Sequence, residues 1–228
     1  MNVAIVVAAG KGTRLSGVRP KQFLKIGGVP IIIHTLRQFE RSQQIDEIIA
    51  VLPPEEPANF LSSAQDFGLK KVWRAVAGGA TRARSVLRGL MTISEAEIVA
   101  VHDGVRPLVT PDEIDATVLA ARANGAAILT SSVADTIKEI ENDRVMRTLL
   151  RANLRRALTP QCFRYDILKR AYNQLNEVES SGMELTDDSM LVERLGVEIV
   201  AIAGSARNIK ITSVEDLAIA EVLLKLGS

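Results

Sequence analysis
The sequence predicts an α/β fold with a parallel or mostly parallel sheet. Three features carry that reading. Residues Val3–Ala8 form an unbroken apolar run, as a central strand covered on both faces requires. Runs of this kind alternate with helix-length segments along most of the chain. The runs end in glycine, proline or Asp-Gly turns.

Val3–Ala8 is the first strand. Pro30 opens a helix over Ile31–Arg41, placed in the first turn where its missing N–H costs little. Ile45–Leu52 is the next strand, closed by Pro53-Pro54. Asn59–Phe67 reads as a helix stopped by Gly68, and Lys71–Ala77 as a third strand ending in Gly78-Gly79. Ala80–Ile93 is the helix after it. Ile98–His102 is a fourth strand, followed by Asp103-Gly104. Pro111 starts a helix that runs to Asn124, and Ala126–Val133 is a fifth strand. Such alternation implies right-handed crossovers between parallel strands.

The rhythm breaks near Asp135. Thr136–Ile140 and Arg144–Leu149 are short, alternating and polar, and Glu141-Asn142-Asp143 joins them as a turn. This is a β-hairpin with two wet faces. A hairpin without its own core is not stable alone, so it must pack on something, and a partner subunit is a good candidate. The pattern resumes with a helix over Phe163–Asn176, the segment Ser189–Leu195, a strand over Val197–Ala203 and a last helix over Val214–Leu226. Residues 1–228 read as one domain, with 135–150 as an arm within it.

Composition narrows the partners. With 28 basic and 27 acidic residues the net charge is +1, so bulk attraction to nucleic acid or an acidic membrane is not indicated, although a local basic site is. Aromatic residues make up only 4%, too few for stacking platforms on single-stranded nucleic acid. The single cysteine, Cys162, excludes an internal disulfide and a cysteine-rich metal site. Met1 runs into a strand with no signal-like segment, and no apolar run is long enough for a membrane span, so a soluble cytoplasmic protein is expected.

The first strand feeds the loop Ala8-Ala9-Gly10-Lys11-Gly12-Thr13-Arg14, and Arg19 and Lys21 follow closely. It is neither named glycine motif. A dinucleotide fingerprint needs a third glycine where Leu15 stands, and a P-loop needs Ser or Thr after the lysine where Gly12 stands. What remains is a turn whose N–H groups can face a phosphate chain, crowded by cations that would repel one another without an anion. Gly78–Ser85 repeats the theme: two glycines close a strand, and a helix start with Arg82 and Ser85 suits a base or ribose. Asp103 stands at the carboxyl end of a strand, where open α/β sheets place ligands. It can hold Mg²⁺ or accept from a hydroxyl, and Arg106 beside it can fork onto a phosphate. His102 reads as a core or supporting residue. Arg151, Arg155 and Arg156 are compatible with surface charge. Lys210, between two isoleucines on an expected short strand, needs an anionic partner.

Six motifs then occur in order: A-A-G-x-G-x-R, P-K-Q-F, H-D-x-x-R-P, L-x-x-x-x-T-P-Q, T-D-D-S and N-I-K-I-T. Together they closely resemble the 2-C-methyl-D-erythritol 4-phosphate cytidylyltransferase family of the non-mevalonate isoprenoid pathway. The resemblance implies a Rossmann-like three-layer αβα fold with a mostly parallel sheet and a protruding β-hairpin arm. It also implies a homodimer joined through that arm, and transfer of CMP from CTP to the substrate phosphate with Mg²⁺. Arg14 and Lys21 would stabilise the transition state. Ala8, Ala9, Gly10, Lys11 and Gly12, with Lys21, would cradle the triphosphate, and Gly79 and Ser85 would contact the cytidine. Asp103, Arg106, Thr159, Thr186 and Lys210 would form the substrate side, Asp103 also being the candidate metal ligand. Thr136 and Arg151 would come from the partner's arm, and Arg151 with Lys210 would position the substrate phosphate. The chain departs from the family pattern at Ala80, Gly104, Val105 and Arg155. The nearest rival is a ribitol-5-phosphate cytidylyltransferase, which shares the glycine loop and P-K-Q-F. A rival of another kind is a nucleotide-binding module without turnover.

Overall fold
The computed structural model describes residues 1–10 and 20–226. Its main sheet has seven strands. In chain order these are β1 (Asn2–Val7), β4 (Glu47–Leu52), β5 (Val72–Ala77), β6 (Ile98–Asp103), β7 (Ala126–Ser132), β10 (Arg155–Arg164) and β11 (Val200–Ala203). Across the sheet the order is β11-β7-β10-β6-β1-β4-β5, and β10 alone runs antiparallel to its neighbours. Two small ladders complete the strands: β2 (Lys25–Ile26) with β3 (Val29–Pro30), and β8 (Lys138–Glu141) with β9 (Arg144–Thr148).

The period of two in β1 sorts side chains between layers. Ala4 and Val6 join α1 (Ile31–Arg41), α2 (Pro57–Asp66) and α4 (Pro111–Asn124) in one core. Val3 and Ile5 face the other way, onto α3 (Arg82–Leu90), α5 (Tyr165–Asn173), α6 (Leu175–Ser180) and α7 (Ser189–Glu193). Burying both faces is what makes the strands near-continuously apolar, and each large side chain so buried contributes roughly 1.5–3 kcal/mol. The helix ends carry their own signals. Thr110 and Glu113 cap α4 reciprocally with Pro111 in the first turn, and Gly125 stops it at φ +94°. The C-terminal helix α8 (Val214–Leu226) covers β2 and buries Ala220 beside Ile211 and Ile31.

The structure shortens the expected helix Ala80–Ile93 to Arg82–Leu90 and the expected strand Val197–Ala203 to Val200–Ala203, and it corrects the reading further at three places. The expected helix over Phe163–Asn176 is three things: β10 runs through Arg164, α5 spans Tyr165–Asn173, and Asn176 already belongs to α6. Lys210 sits in a loop and not on a strand. The hairpin strands begin and end closer to the turn than expected, which is the pair Asn142-Asp143, both at positive φ. The hairpin itself holds, and every residue of β8 and β9 is exposed.

Candidate functional site
Parallel strands deliver their carboxyl ends to one edge, and chain order reverses between β1 and β6: β4 and β5 lie to one side, β6 to the other. Ligands of open α/β sheets bind at such a switch point. A cleft of about 410 Å³ lies there, lined among others by Ala8, Gly10, Lys21, Gly79, Ser85 and Lys210. A hollow of about 190 Å³ adjoins it and shares Arg82, Asp103 and Lys210 with it, adding Arg106, Thr159 and Thr186.

On one side of the cleft, the β1 turn is pinned from outside. The buried Gln22 donates from Nε2 to the carbonyls of Ala8 (2.6 Å) and Gly10 (3.2 Å). The P-K-Q-F segment is therefore a brace for the glycine turn as well as the source of Lys21. The β5 turn is tied by Ser85, whose Oγ accepts from the Gly79 N–H (3.1 Å) and donates to the Thr81 carbonyl. A Cβ on Gly79 would stand 2.5 Å from that of Arg84, so only glycine lets the turn close onto the helix start.

On the opposite side one carboxylate gathers three cations. Asp103 Oδ1 accepts from Arg82 Nε at 2.9 Å; Oδ2 faces Arg106 Nε at 3.2 Å and Lys210 Nζ at 3.1 Å. Burial alone would raise the pKa of this carboxyl, but the three cations, Arg82 foremost, hold it far below the ordinary carboxylate range. Removing one partner from such a buried pair typically costs 3–5 kcal/mol. His102, fully buried, is kept neutral: desolvation lowers its pKa to about 3. Its Nε2 lies 3.2 Å from the Arg106 carbonyl and its Nδ1 3.0 Å from Thr159 Oγ. That pairing selects the tautomer that donates from Nε2, so Thr159 donates to Nδ1 and accepts from the Asp103 N–H.

The loop carrying Lys210 is held at four points. Asn208 donates to the Thr159 carbonyl, and Arg106 Nη1 donates to the Asn208 carbonyl. The Ile211 N–H reaches Val105, and Thr212 with Ser213 donates to Asp216, capping α8. Lys21 Nζ donates to the Ile211 carbonyl at 3.1 Å, which brings the two lysines to one loop.

Of the expected residues, Ala8, Ala9, Gly10, Lys21, Gly79, Ser85, Asp103, Arg106, Thr159, Thr186 and Lys210 line one or both hollows. Lys11, Gly12 and Arg14 lie outside the described residues. Thr136 and Arg151 are exposed near the arm and line neither hollow; Arg151 donates to the Ala134 carbonyl. As a metal ligand Asp103 fits poorly, because both its oxygens are spent on cations. Among the described residues no group of three His, Cys, Asp or Glu is placed to hold an ion. The reading missed the supports: Arg82 as a bridge, and Gln161, whose Oε1 accepts the N–H groups of Asp188 and Ser189 while Nε2 donates to Asp187. T-P-Q and T-D-D-S are therefore one structural unit, a pairing that their separation in sequence hides. Among the described residues no helix is long and apolar enough to cross a membrane.

Residues 2–226 match the family described as 2-C-methyl-D-erythritol 4-phosphate cytidylyltransferase. Relatives bearing that name include one from Pelotomaculum thermopropionicum, 43% identical over 97% of this chain and 93% of its own. Another, from Bacillus cytotoxicus, is 42% identical over 98% of both chains. Among solved structures, a 4-diphosphocytidyl-2C-methyl-D-erythritol synthase from Anaerococcus prevotii superposes with a TM-score of 0.86 at 31% identity, covering 98% of this chain and 96% of that one. The 2-C-methyl-D-erythritol 4-phosphate cytidylyltransferase of Thermus thermophilus gives 0.77 at 32%, covering 97% and 98%.

Proposed function
The chain belongs to the 2-C-methyl-D-erythritol 4-phosphate cytidylyltransferase family, and from that membership we propose how its cleft works. The protein is a nucleotidyltransferase that joins CMP from CTP to 2-C-methyl-D-erythritol 4-phosphate, giving 4-diphosphocytidyl-2-C-methyl-D-erythritol and pyrophosphate. One observation carries the assignment of sides: glycine turns at the ends of β1 and β5, with Lys21 beside them, share a single cleft with the ion pair of Asp103 and Lys210. The turns take the nucleotide and the cluster takes the phosphorylated polyol.

An oxygen of the acceptor phosphate attacks the α-phosphorus. A new P–O bond forms, the bond to the bridging oxygen of the β-phosphate breaks, and pyrophosphate leaves with that electron pair. The nucleophile is already anionic near neutral pH, so no general base is required. The barrier is repulsion between polyanions, which fixed cations lower: opposite unit charges 4 Å apart are worth about 4 kcal/mol at an effective dielectric of 20. Lys21 and Arg14 act on the reacting phosphates, and Lys210 with Arg106 holds the acceptor. Both oxygens of Asp103 are held by cations, so this carboxylate could take a magnesium ion only by giving up an ion pair; an ion carried by the nucleotide instead would supply charge neutralisation on its phosphates. Pyrophosphate release with CTP, Mg²⁺ and each candidate phosphate is the test. Release with methylerythritol phosphate is expected; release with ribitol 5-phosphate alone, or nucleotide binding without release, overturns the assignment.

The arm joins two copies of the chain. Its apolar side chains Ile140, Val145, Met146 and Leu150 are 55–68% exposed on a two-stranded ladder too small to hold them. Arg151 and Thr136 at its base complete the partner's acceptor site. Mixing Arg151→Ala with Lys21→Ala subunits, each nearly inactive alone, is expected to restore about half of wild-type activity per heterodimer, because one site then has every residue. Proven heterodimers without rescue would show that the arm does not reach across.

A further inference from the structure
Arg82, the first residue of α3, has no role in the mechanism above, yet it stands where the two hollows meet. Its guanidinium bridges two carboxylates: Nε to Asp103 Oδ1 at 2.9 Å, and Nη1 to Asp188 Oδ2 at 2.8 Å. The remaining amino group Nη2 is buried and has no hydrogen-bond partner among the described residues, so among these the two carboxylates fix the plane of the guanidinium. Asp188 is fully enclosed and is itself held, its other oxygen by the Tyr172 hydroxyl and its N–H by Gln161. A chain of contacts thus runs from Tyr172 on α5, through Asp188 before α7 and Arg82 on α3, to Asp103 at the end of β6 and Lys210 in the loop beyond β11. Five segments far apart in sequence meet in one line of alternating charge.

We propose that Arg82, anchored by Asp188 and Tyr172, is a positioning residue for the acceptor side of the cleft: it sets the rotamer of Asp103 and, through it, the ammonium of Lys210. This rests on the acceptor-side reading given above. The physical reason is geometric. A carboxylate facing only Lys210 and Arg106 can rotate to favour either, whereas Arg82 occupies Oδ1 and leaves Oδ2 for the other two. The planar guanidinium can bridge two carboxylates at fixed angles, and a lysine in its place cannot. The nucleotide turns have contacts of their own through Gln22 and Ser85, so the effect is confined to the acceptor.

A double-mutant cycle tests this. Asp188→Asn and Tyr172→Phe are made in the wild-type and in an Asp103→Asn background, and steady-state constants are measured for both substrates. In the wild type, Asp188→Asn is expected to lower kcat/KM for the polyol phosphate roughly 10- to 100-fold, with KM for CTP changed less than about twofold. In the Asp103→Asn background it should change kcat/KM less than about threefold. Tyr172→Phe, a gentler change that keeps the ring, should show the same pattern at smaller amplitude and covers the case in which Asp188→Asn folds poorly. Arg82→Lys should not rescue Arg82→Gln. Equal losses in both backgrounds, a matching rise in KM for CTP, or full rescue by lysine would overturn the proposal. A second readout does not depend on turnover. The Arg82 Nε–H resonance should exchange slowly in the wild type and lose that protection in Asp188→Asn; unchanged protection counts against the bridge. A wild type that turns over no polyol phosphate would defeat the functional reading while this resonance still reports on Arg82.

Discussion

Replacing Lys21 with alanine is expected to lower kcat by roughly 10²–10³-fold while KM for CTP moves less than about threefold. Lys21 sits on the 3-10 turn Lys21–Phe23 directly after Pro20, and the same turn places Gln22 under the glycine loop. The side chain is thus delivered by a braced segment and reaches the Ile211 carbonyl beside Lys210. A cation so placed meets charge that is spread in the ground state and concentrated on the α-phosphate and leaving oxygen as the bond breaks. Such a cation is expected to stabilise the transition state more than bound CTP, so the loss should fall on kcat. Lys21 is half-buried and donates to the Ile211 main-chain carbonyl, so unfolding free energy is measured beside the rate constants. Lys21→Met, which keeps the length of the stem, should behave like alanine. Near-normal kcat with only a raised KM would make Lys21 a uniform binding contact. A large drop in unfolding free energy would instead mean that the lysine tethers the loop of Lys210.

How much of this was legible in the sequence depended on whether the signal was local. The strands β1, β4, β6 and β7 are buried on both faces and announce themselves as apolar runs, and β5, half-buried at the sheet edge, is bounded by Gly78-Gly79; α1 and α4 start where proline marks them, and α8 where Ser213 accepts from Asp216. Strand β10 does not read as a strand. It opens on exposed Arg155 and Arg156, contains Pro160, which cannot donate to a ladder, and its register to β7 slips between Ala157 and Gln161. Its buried end, Phe163, then looks like the start of the following helix. The site divides the same way. Glycines, Asp103 and Lys210 stand at strand ends or in an apolar frame and could be singled out locally. The anion that Lys210 required turned out to be Asp103, more than a hundred residues away, and the bridge of Arg82 to Asp188 exists only because β6, α3 and α7 converge. Pairings of that kind carry no periodicity and no motif; they follow from topology.

Acid is expected to destabilise the protein from near pH 6.5 downward, and His102 is the main reason. In the unfolded chain its imidazole binds a proton near pH 6.5; in the fold, burial against Phe39 and the sheet lowers that value to about 3. Between those limits the unfolded state holds more protons, so stability rises with pH and falls as pH drops, by roughly 3 kcal/mol at pH 4 relative to pH 7. The pKa of His34 is also lowered, chiefly by burial, and acts in the same direction. Asp103 adds a second, lower window. Its folded pKa is depressed, so its stabilisation is complete above the ordinary carboxylate value and is lost as pH falls below about 4. Urea unfolding from pH 7 to pH 4 reads the first window. In His102→Gln, whose amide can still accept from Thr159 and donate to Arg106, stability at pH 7 should be lower but the slope between pH 6.5 and 4.5 should flatten by more than half. His34→Gln should flatten it less. A full slope in His102→Gln would mean that the buried ring takes up its proton in the fold after all, in which case it would charge beside Arg106 and Asp103 and could no longer accept the Thr159 hydroxyl that orients them.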